Sequence, residues 1–539
     1  MKLSNLYNKL TKAVILTAAL STTSCLSHLD VEPIDENLST ADKVYDSEES
    51  LQSGLNKVYA GFVIGGNAQG DGDPDVAGFD GGKSVYWRQF FNLQELPTDE
   101  MKNAWAGDPE LPELSRLAWG SSNASIRTLY YRIFYQITLA NEFARQAKVY
   151  GGDFEETPRM IAEARFLRAL AYTHALDFFG NKVPKVMEED GVGAFLPPQF
   201  GESERGTELF DHIESELIAI QDDLLPAKAN YVGQANQVAA KMLLAKLYLN
   251  HAVYRGAEEI AYFEKAKVLV NDILTSGYRL MGASDAQAGD QVSPYELNFT
   301  ADNYTSDEII FAFTVDGKYS QSWGGMTFIM NAGASAAMKE FTGVDGWGGN
   351  RTTPMLVDKF EDNDDRALWF TEGHQKEMDE LMSFTDGYGV LKYKNLNRDF
   401  SKPQDHSFVF VHTDIPVFRL SDAMLMAAEL EARTGGLTAE GLEWINTVRR
   451  RANTSEKTLA EVQAEGTLDF ILDERARELY WEGHRRTDLI RFGKFIDGYQ
   501  WSFKGGVAEG TSVNQRYELM PIPPSDLNAN PNLTQNFDY

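Results

Sequence analysis

Cysteine is almost missing from this chain: Cys25 is the only one in 539 residues. A lone thiol excludes an internal disulfide framework and any zinc site built on several thiolates. Long hydrophobic runs are scarce as well. The N-terminal run Ala13-Val14-Ile15-Leu16-Thr17-Ala18-Ala19-Leu20 falls far short of the roughly 20 apolar residues that span a bilayer. Positive charge is in deficit, with 50 Lys and Arg against 80 Asp and Glu and a formal net charge of −30. Nucleic acid and anionic lipid both reward Lys/Arg clusters, so neither is an expected partner. No His-Glu-x-x-His run occurs, and no pair among the 80 carboxylates stands out as catalytic. The stretch Ala77-Gly78-Phe79-Asp80-Gly81-Gly82-Lys83-Ser84 ends like a phosphate loop but has Ala77 where the first glycine is required. Asp71-Gly72-Asp73-Pro74-Asp75 has the oxygen spacing of a calcium loop, without the glycine at the sixth position (Val76) or the glutamate at the twelfth (Gly82). No catalytic residue, metal site or cofactor is expected, a structural calcium ion at that turn being the one exception considered.

What is present begins at the N-terminus. Lys2, Lys9 and Lys12 form a positive region ahead of the short apolar run, and Ser21-Thr22-Thr23-Ser24 leads in small residues to Cys25. These are the proportions of a secretion signal. A cysteine directly after small residues is the pattern of a bacterial lipoprotein processing site, although Thr22 stands where such sites usually carry leucine. The reading is lipidation at Cys25, several acyl chains anchoring where one would not. An ordinary signal peptide cut nearby is the alternative. Residues 26 to about 45, polar and interrupted by Pro33, suit a tether.

From about 125 to 280 the apolar residues recur at helical spacing. Leu167, Leu170, Ala171, His174 and Phe178 share one face of a helix that Thr157 caps, Pro158 opens and Gly180 ends. His174 on that face reads as a core histidine. Ile213, Leu217, Ile220 and Leu224 make a second stripe; Val238, Met242, Ala245 and Leu249, with Ala235, Ala239 and Ala240, make a third. Further on, Ser421 is expected to cap a helix ending at Gly435-Gly436, and another follows through Leu442, Ile445 and Val448. Helix pairs with alanine at contact positions point to a mainly α fold of tetratricopeptide-like repeats without a strict period. Between 281 and 420 Gly, Asn, Asp and aromatics replace the helical stripes. Glu308 to Phe313 and Phe408-Val409-Phe410-Val411 read as short strands.

Several stretches in order resemble the SusD/RagB family of nutrient-capturing surface lipoproteins. They are Cys25-Leu26-Ser27-His28-Leu29-Asp30-Val31-Glu32-Pro33, then Gln94-Glu95-Leu96-Pro97-Thr98-Asp99-Glu100 with Trp105. Ala164-Arg165-Phe166-Leu167-Arg168-Ala169-Leu170-Ala171-Tyr172 through Lys182-Val183-Pro184 follows. Glu474-Arg475-Ala476-Arg477-Glu478-Leu479, Glu482-Gly483-His484-Arg485-Arg486-Thr487-Asp488-Leu489-Ile490-Arg491, Pro521-Ile522-Pro523 and Asn530-Pro531-Asn532 close the series. The resemblance implies a superhelical scaffold of helix pairs with an irregular region packed on it. It implies a binding protein and not an enzyme, seated on a TonB-dependent (SusC-like) transporter at the outer membrane and delivering oligosaccharide to it. Peptide capture within the same family, or a lipid-anchored glycoside hydrolase, are the alternatives. The organisation expected is a signal peptide (1–24), a lipidated tether (25–45), an N-terminal helical region (46–280), a loop-rich ligand-binding region (281–420) and a C-terminal helical region packing back on the scaffold (421–539). Glu474, Arg475, Arg477 and Arg485 read as paired charges inside a packing layer.

A sugar ring offers one face of C–H groups and an equator of hydroxyls, so its site needs flat aromatics beside polar groups. Aromatics on loops are therefore the candidates, and those in helical stripes, such as Trp444 and Trp481, are expected in the core. Trp323 and Trp347 lead, because flanking glycines let a ring stand clear of its neighbours. Trp105 and Trp87 follow, with Tyr319, Asn350 and Arg351 as companions of the two leading tryptophans.

Overall fold

The computed structural model describes residues 41–190, 196–229 and 231–539. The expected signal peptide, Cys25 and most of the tether lie outside the described residues. Of the unit ending at Asp46, the described part holds the helical turn Ala41–Val44. All that follows concerns the unit Ser47–Tyr539.

Its scaffold is a run of packed helices. Helix α1 (Glu48–Ala60) opens with a capping box in which Ser47 and Ser50 exchange side-chain to backbone hydrogen bonds. Helices α2 (Tyr86–Glu95), α3 (Ala124–Tyr150), α4 (Thr157–Phe179), α5 (Glu208–Ala219), α6 (Gln237–Leu249) and α7 (Ile260–Leu274) follow. Then come α8 (Gly325–Gly333), α9 (Leu420–Thr434), α10 (Ala439–Arg451), α11 (Thr467–Leu479) and α12 (Arg485–Arg491). Contacts run from α3 to α4, α5, α6 and α7 in turn, then from α7 to α9, which also holds α10 and α11. This is the tetratricopeptide-like scaffold that the alanine stripes predict. Ala239, Ala240 and Ala245 of α6 are fully buried, where small side chains let neighbouring helices close in. Helix α4 ends where expected, with Gly180 at φ +72°. Its start differs: Glu156 stands at the cap position and Thr157 is the first helical residue, its hydroxyl donating to the Gly151 carbonyl at 2.6 Å. Ser421 likewise lies inside α9, where its oxygen accepts from Arg419 at 2.7 Å. His174 is a core histidine. It meets the Tyr86 hydroxyl at 2.8 Å, and burial pushes its pKa down to about 3.

The strands form two-stranded pieces: β1 (Gly66–Ala68) with β2 (Gly72–Pro74), β3 (Met101–Asn103) with β5 (Asn350–Thr352), β4 (Ile309–Phe313) with β8 (Ile415–Arg419), and β6 (Trp369–Phe370) with β7 (Gly389–Val390). Strand β4 is the one expected at 308–313. Phe408 to Val411 is not a strand, which corrects the reading from sequence. Its backbone donors are taken by side chains instead, Val409 and Phe410 by the Ser407 hydroxyl, while Asn331 holds the Val409 carbonyl at 3.0 Å.

A layer of buried ion pairs knits α11 and α12 to the rest. Glu474 accepts from Arg366, Arg449 and Arg477 at 2.7–2.8 Å. Arg475 bridges Asp488 and Asp422, and Arg485 grips Asp99 with both arms at 2.6 and 2.7 Å. Against the opposing effect of burial, guanidinium groups hold Asp99, Glu474 and Asp488 well below the usual carboxylate range, and Lys246 with Arg475 does the same for Asp422. Groups with depressed folded values stabilise above the unfolded pKa of about 4, and that stability is lost as pH falls through the folded values. Glu95 and Glu100 act oppositely: burial raises both, so they withdraw stability as pH rises toward neutrality. Thermal unfolding between pH 3 and pH 9 is expected to give its highest Tm at about pH 5–6 and to drop steeply below about pH 4. A Tm unchanged from pH 5 to pH 3 would contradict the assignment.

Candidate functional site

Helix α8 organises the exposed aromatics. Trp323 immediately precedes it, entering through two glycines that nothing larger could replace. A Cβ on Gly324 would stand 2.3 Å from Val85, and Gly325 has φ +53°. At the other end of α8 the buried Asn331 fixes two loops at once. Its carbonyl accepts from Trp347 N at 2.6 Å, its side-chain oxygen accepts from Gly346 N at 3.2 Å, and its amide donates to Val409 O. The rings these segments present converge. Trp323 and Trp347 have centroids 6.1 Å apart with their planes 37° from parallel, and Phe410 lies 4.9 Å from Trp323 at 58°. Trp323 is 42% exposed.

The hairpin β1–β2 latches the Trp323 loop. Asp71, at φ +59° in the turn and 4% exposed, accepts from Gly65 N at 2.7 Å with one oxygen. The other oxygen accepts from Ser322 Oγ at 3.0 Å and Trp323 N at 2.6 Å. Asp75 pairs with Lys57 at 3.1 Å and Arg132 at 3.4 Å. Among the described residues no group of three or more His, Cys, Asp or Glu is placed to hold a metal ion. Nearby, Gly82 lets the chain pass Trp323, where a Cβ would stand 2.5 Å from the tryptophan's own.

Trp105 joins from β3. Ala104 N donates to Gly349 O at 2.9 Å, and the Trp105 ring lies so close over Gly349 that a Cβ there would be 2.4 Å from its Nε1. Its ring meets Phe328 of α8 edge to face at 6.0 Å. Arg88 of α2 stacks its guanidinium 4.1 Å from the centre of the Phe328 ring. Arg88 is 8% exposed, and its Nε has no hydrogen-bond partner among the described residues. Burial lowers its pKa to about 10, with Asp108 and Asp80 opposing, so it is cationic at neutral pH. The result is a set of converging ring faces with a buried cation, its Nε unmatched, stacked on Phe328 of the same layer.

Over the whole chain the sequence is 33% identical to the starch-binding protein SusD of Bacteroides thetaiotaomicron, covering 100% of each. The chain belongs to the SusD family. Residues 382–539 match the SusD family model, and residues 28–249 match a SusD-like model described as starch-binding and associating with the outer membrane. In fold it is similar to a SusD superfamily protein of Parabacteroides distasonis (20% identity, TM-score 0.69, 91% of this chain and 99% of that one). It is also similar to surface glycan-binding protein A of Bacteroides thetaiotaomicron, solved with laminarihexaose (17% identity, TM-score 0.66, 91% and 99%).

On this SusD scaffold Trp323, Trp347 and Trp105 fall together, whereas four of the residues singled out with them stand elsewhere. Trp87 is 3% exposed and packs on Phe90, Phe313 and His174 at 4.7–6.3 Å, so it is a core residue and not part of the ring surface. Asn350 and Arg351 are 1% and 2% exposed in β5 and cannot meet a ligand as the structure stands. Their roles are positioning. Asn350 Oδ1 accepts from Asn103, which in turn holds Trp105 N at 2.8 Å. Arg351 donates to Leu381 O at 3.0 Å, fixing the loop whose exposed Phe384 sits against Gly348. Tyr319 is exposed but lines a neighbouring cleft with Tyr304 and His412. Arg88 and Phe410 were missed. The signal for Arg88 was an arginine inside an aromatic helix segment, Tyr86-Trp87-Arg88-Gln89-Phe90-Phe91, where a buried cation needs a reason.

Proposed function

We propose that this SusD-family protein captures a starch-like glucan at the outer membrane and passes it to a TonB-dependent transporter without cutting it. The observation that carries the reading is the Trp323–Trp347 pair: two tryptophans on glycine-flanked loops, 6.1 Å apart and tilted by 37°. Each ring covers the C–H face of one sugar, and the tilt suits a chain whose successive rings turn. Arg88, stacked on Phe328, offers its guanidinium to sugar hydroxyls in this reading. The name of its 33%-identical relative and the description of the matching family model support starch as the glycan and the outer membrane as the place. Lipidation at Cys25 supplies the anchor in this reading, and the helical scaffold the surface that meets the transporter.

Affinity electrophoresis through starch, with the glucan sized before and after, tests it. The protein is expected to be retarded and the glucan to keep its length. Shortened products would replace capture by hydrolysis; mobility unchanged on starch but retarded on another glycan would reassign the ligand. Arg88→Ala is expected to weaken starch binding by about tenfold, the loss of a charged hydrogen bond, with Tm changed by no more than about 2 °C. Equal loss of binding and of folding would make Arg88 structural.

A further inference from the structure

The loop that carries Trp323 also walls a second recess. Two cavities, of about 490 and 780 Å³, share Tyr231, Val315, Asp316 and Asp414 in their walls. Tyr231, Tyr304 and Tyr319 stand along them with 54%, 53% and 77% of their surface exposed. Three exposed aromatics around one polar recess are more than scattered surface residues.

The wall of the recess holds a buried acid and a ring nitrogen that folding has left unmatched. Asp414 is 3% exposed; its Oδ1 accepts from Val315 N at 2.9 Å, and its carboxyl also meets the Tyr231 hydroxyl at the mouth of the recess. His412, on the same wall, takes Gly317 N on Nδ1 at 3.4 Å, which leaves the proton on Nε2, and that atom is buried without a partner. A buried donor left unmatched is costly, so His412 Nε2 beside the Tyr231–Asp414 pair points to an acceptor that fills the space. Burial and the nearby Asp316 raise the Asp414 pKa to about 7, so at neutral pH this carboxyl can both donate and accept. That is the pairing a sugar hydroxyl requires. Asp405 is paired with Lys318 at 2.9 Å, so Asp316 is the acidic group left facing the recess, and the wall favours a neutral guest.

We infer that this recess is a second saccharide subsite, which holds a neutral segment of the same glucan chain that the tryptophan pair grips. The inference rests on the glucan-capture reading above. Its consequence is length selectivity: a chain long enough to reach both places gains affinity through linkage, without either contact being stronger.

Titration calorimetry of the purified protein with maltotriose and with a long maltodextrin tests this. Tyr231→Ala combined with Tyr304→Ala is expected to leave maltotriose affinity within about twofold and to weaken the long maltodextrin about tenfold. Both side chains are more than half exposed, so the fold tolerates their loss. Unchanged affinity of the tyrosine variant for the long maltodextrin would overturn the second subsite while leaving capture at the tryptophans intact. Silence of the unaltered protein toward both glucans would overturn capture itself and the subsite with it.

Discussion

Replacing Trp323 and Trp347 together by alanine is expected to abolish retention on starch, while the protein still folds. Buried aromatic anchors at the centre of a binding surface each carry about 2 kcal/mol or more when truncated, roughly thirtyfold in affinity. The two rings are in contact, so their losses are not independent, and the single variants are expected to sum to a value different from the double. Folding is spared because the rings sit on loops whose anchors lie elsewhere. Asp71 holds the Trp323 loop through backbone N–H and Ser322, and Asn331 holds the Trp347 loop through backbone atoms. Calorimetry and far-ultraviolet circular dichroism on the same samples separate the two effects. A double variant that binds starch as tightly as the unaltered protein would remove the tryptophans from the site.

Arg419→Met is expected to destabilise the protein by about 3–5 kcal/mol, or to prevent its folding. Arg419 ends β8 and is 2% exposed. It donates to Glu482 at 2.7 and 2.8 Å and to Glu478 at 2.9 Å, and it also pairs with Glu308. Methionine fills similar space but leaves three carboxylates facing one another, with Arg451, Arg366 and Lys392 to balance them. The carboxylates would then take up protons, so the variant is expected to recover part of its stability as pH falls from 7 to 5. The parent loses stability only at lower pH. Chemical denaturation at the two pH values checks both statements. A variant equally stable at pH 7 would mean that the layer contributes specificity of packing and little stability.

The scaffold was legible where chemistry is local. The helix ending at Gly180, the alanine contacts of α6 and strand β4 follow from spacing and turn residues within one segment. The charge layer around Glu474 and Arg475 was legible because arginines and glutamates alternate with Leu479 and Tyr480, a pattern that water alone does not explain. The ring site was legible in part for the same reason: glycines beside Trp323 and Trp347 report the room that a projecting ring needs.

What failed depends on residues far apart in the chain. Asn350 and Arg351 look like ligand groups beside Gly348-Gly349, yet they are strand residues paired with Met101–Asn103, some 250 positions away. Trp87 looks like a loop tryptophan until α2 is seen to begin at Tyr86 and turn it toward His174. The segment 408–411 has strand composition, but β8 already occupies the partner strand β4. Arg88 meets its ring partner Phe328 only because α2 and α8 pack together. Pairings of that kind leave no mark on either segment alone.

The most direct measurement is a crystal structure of the protein grown or soaked with a maltooligosaccharide. Sugar rings stacked on Trp323 and Trp347, with hydroxyls in reach of Arg88, are the result expected. Sugar ordered elsewhere on the protein, with these two tryptophans bare, would contradict capture by this site.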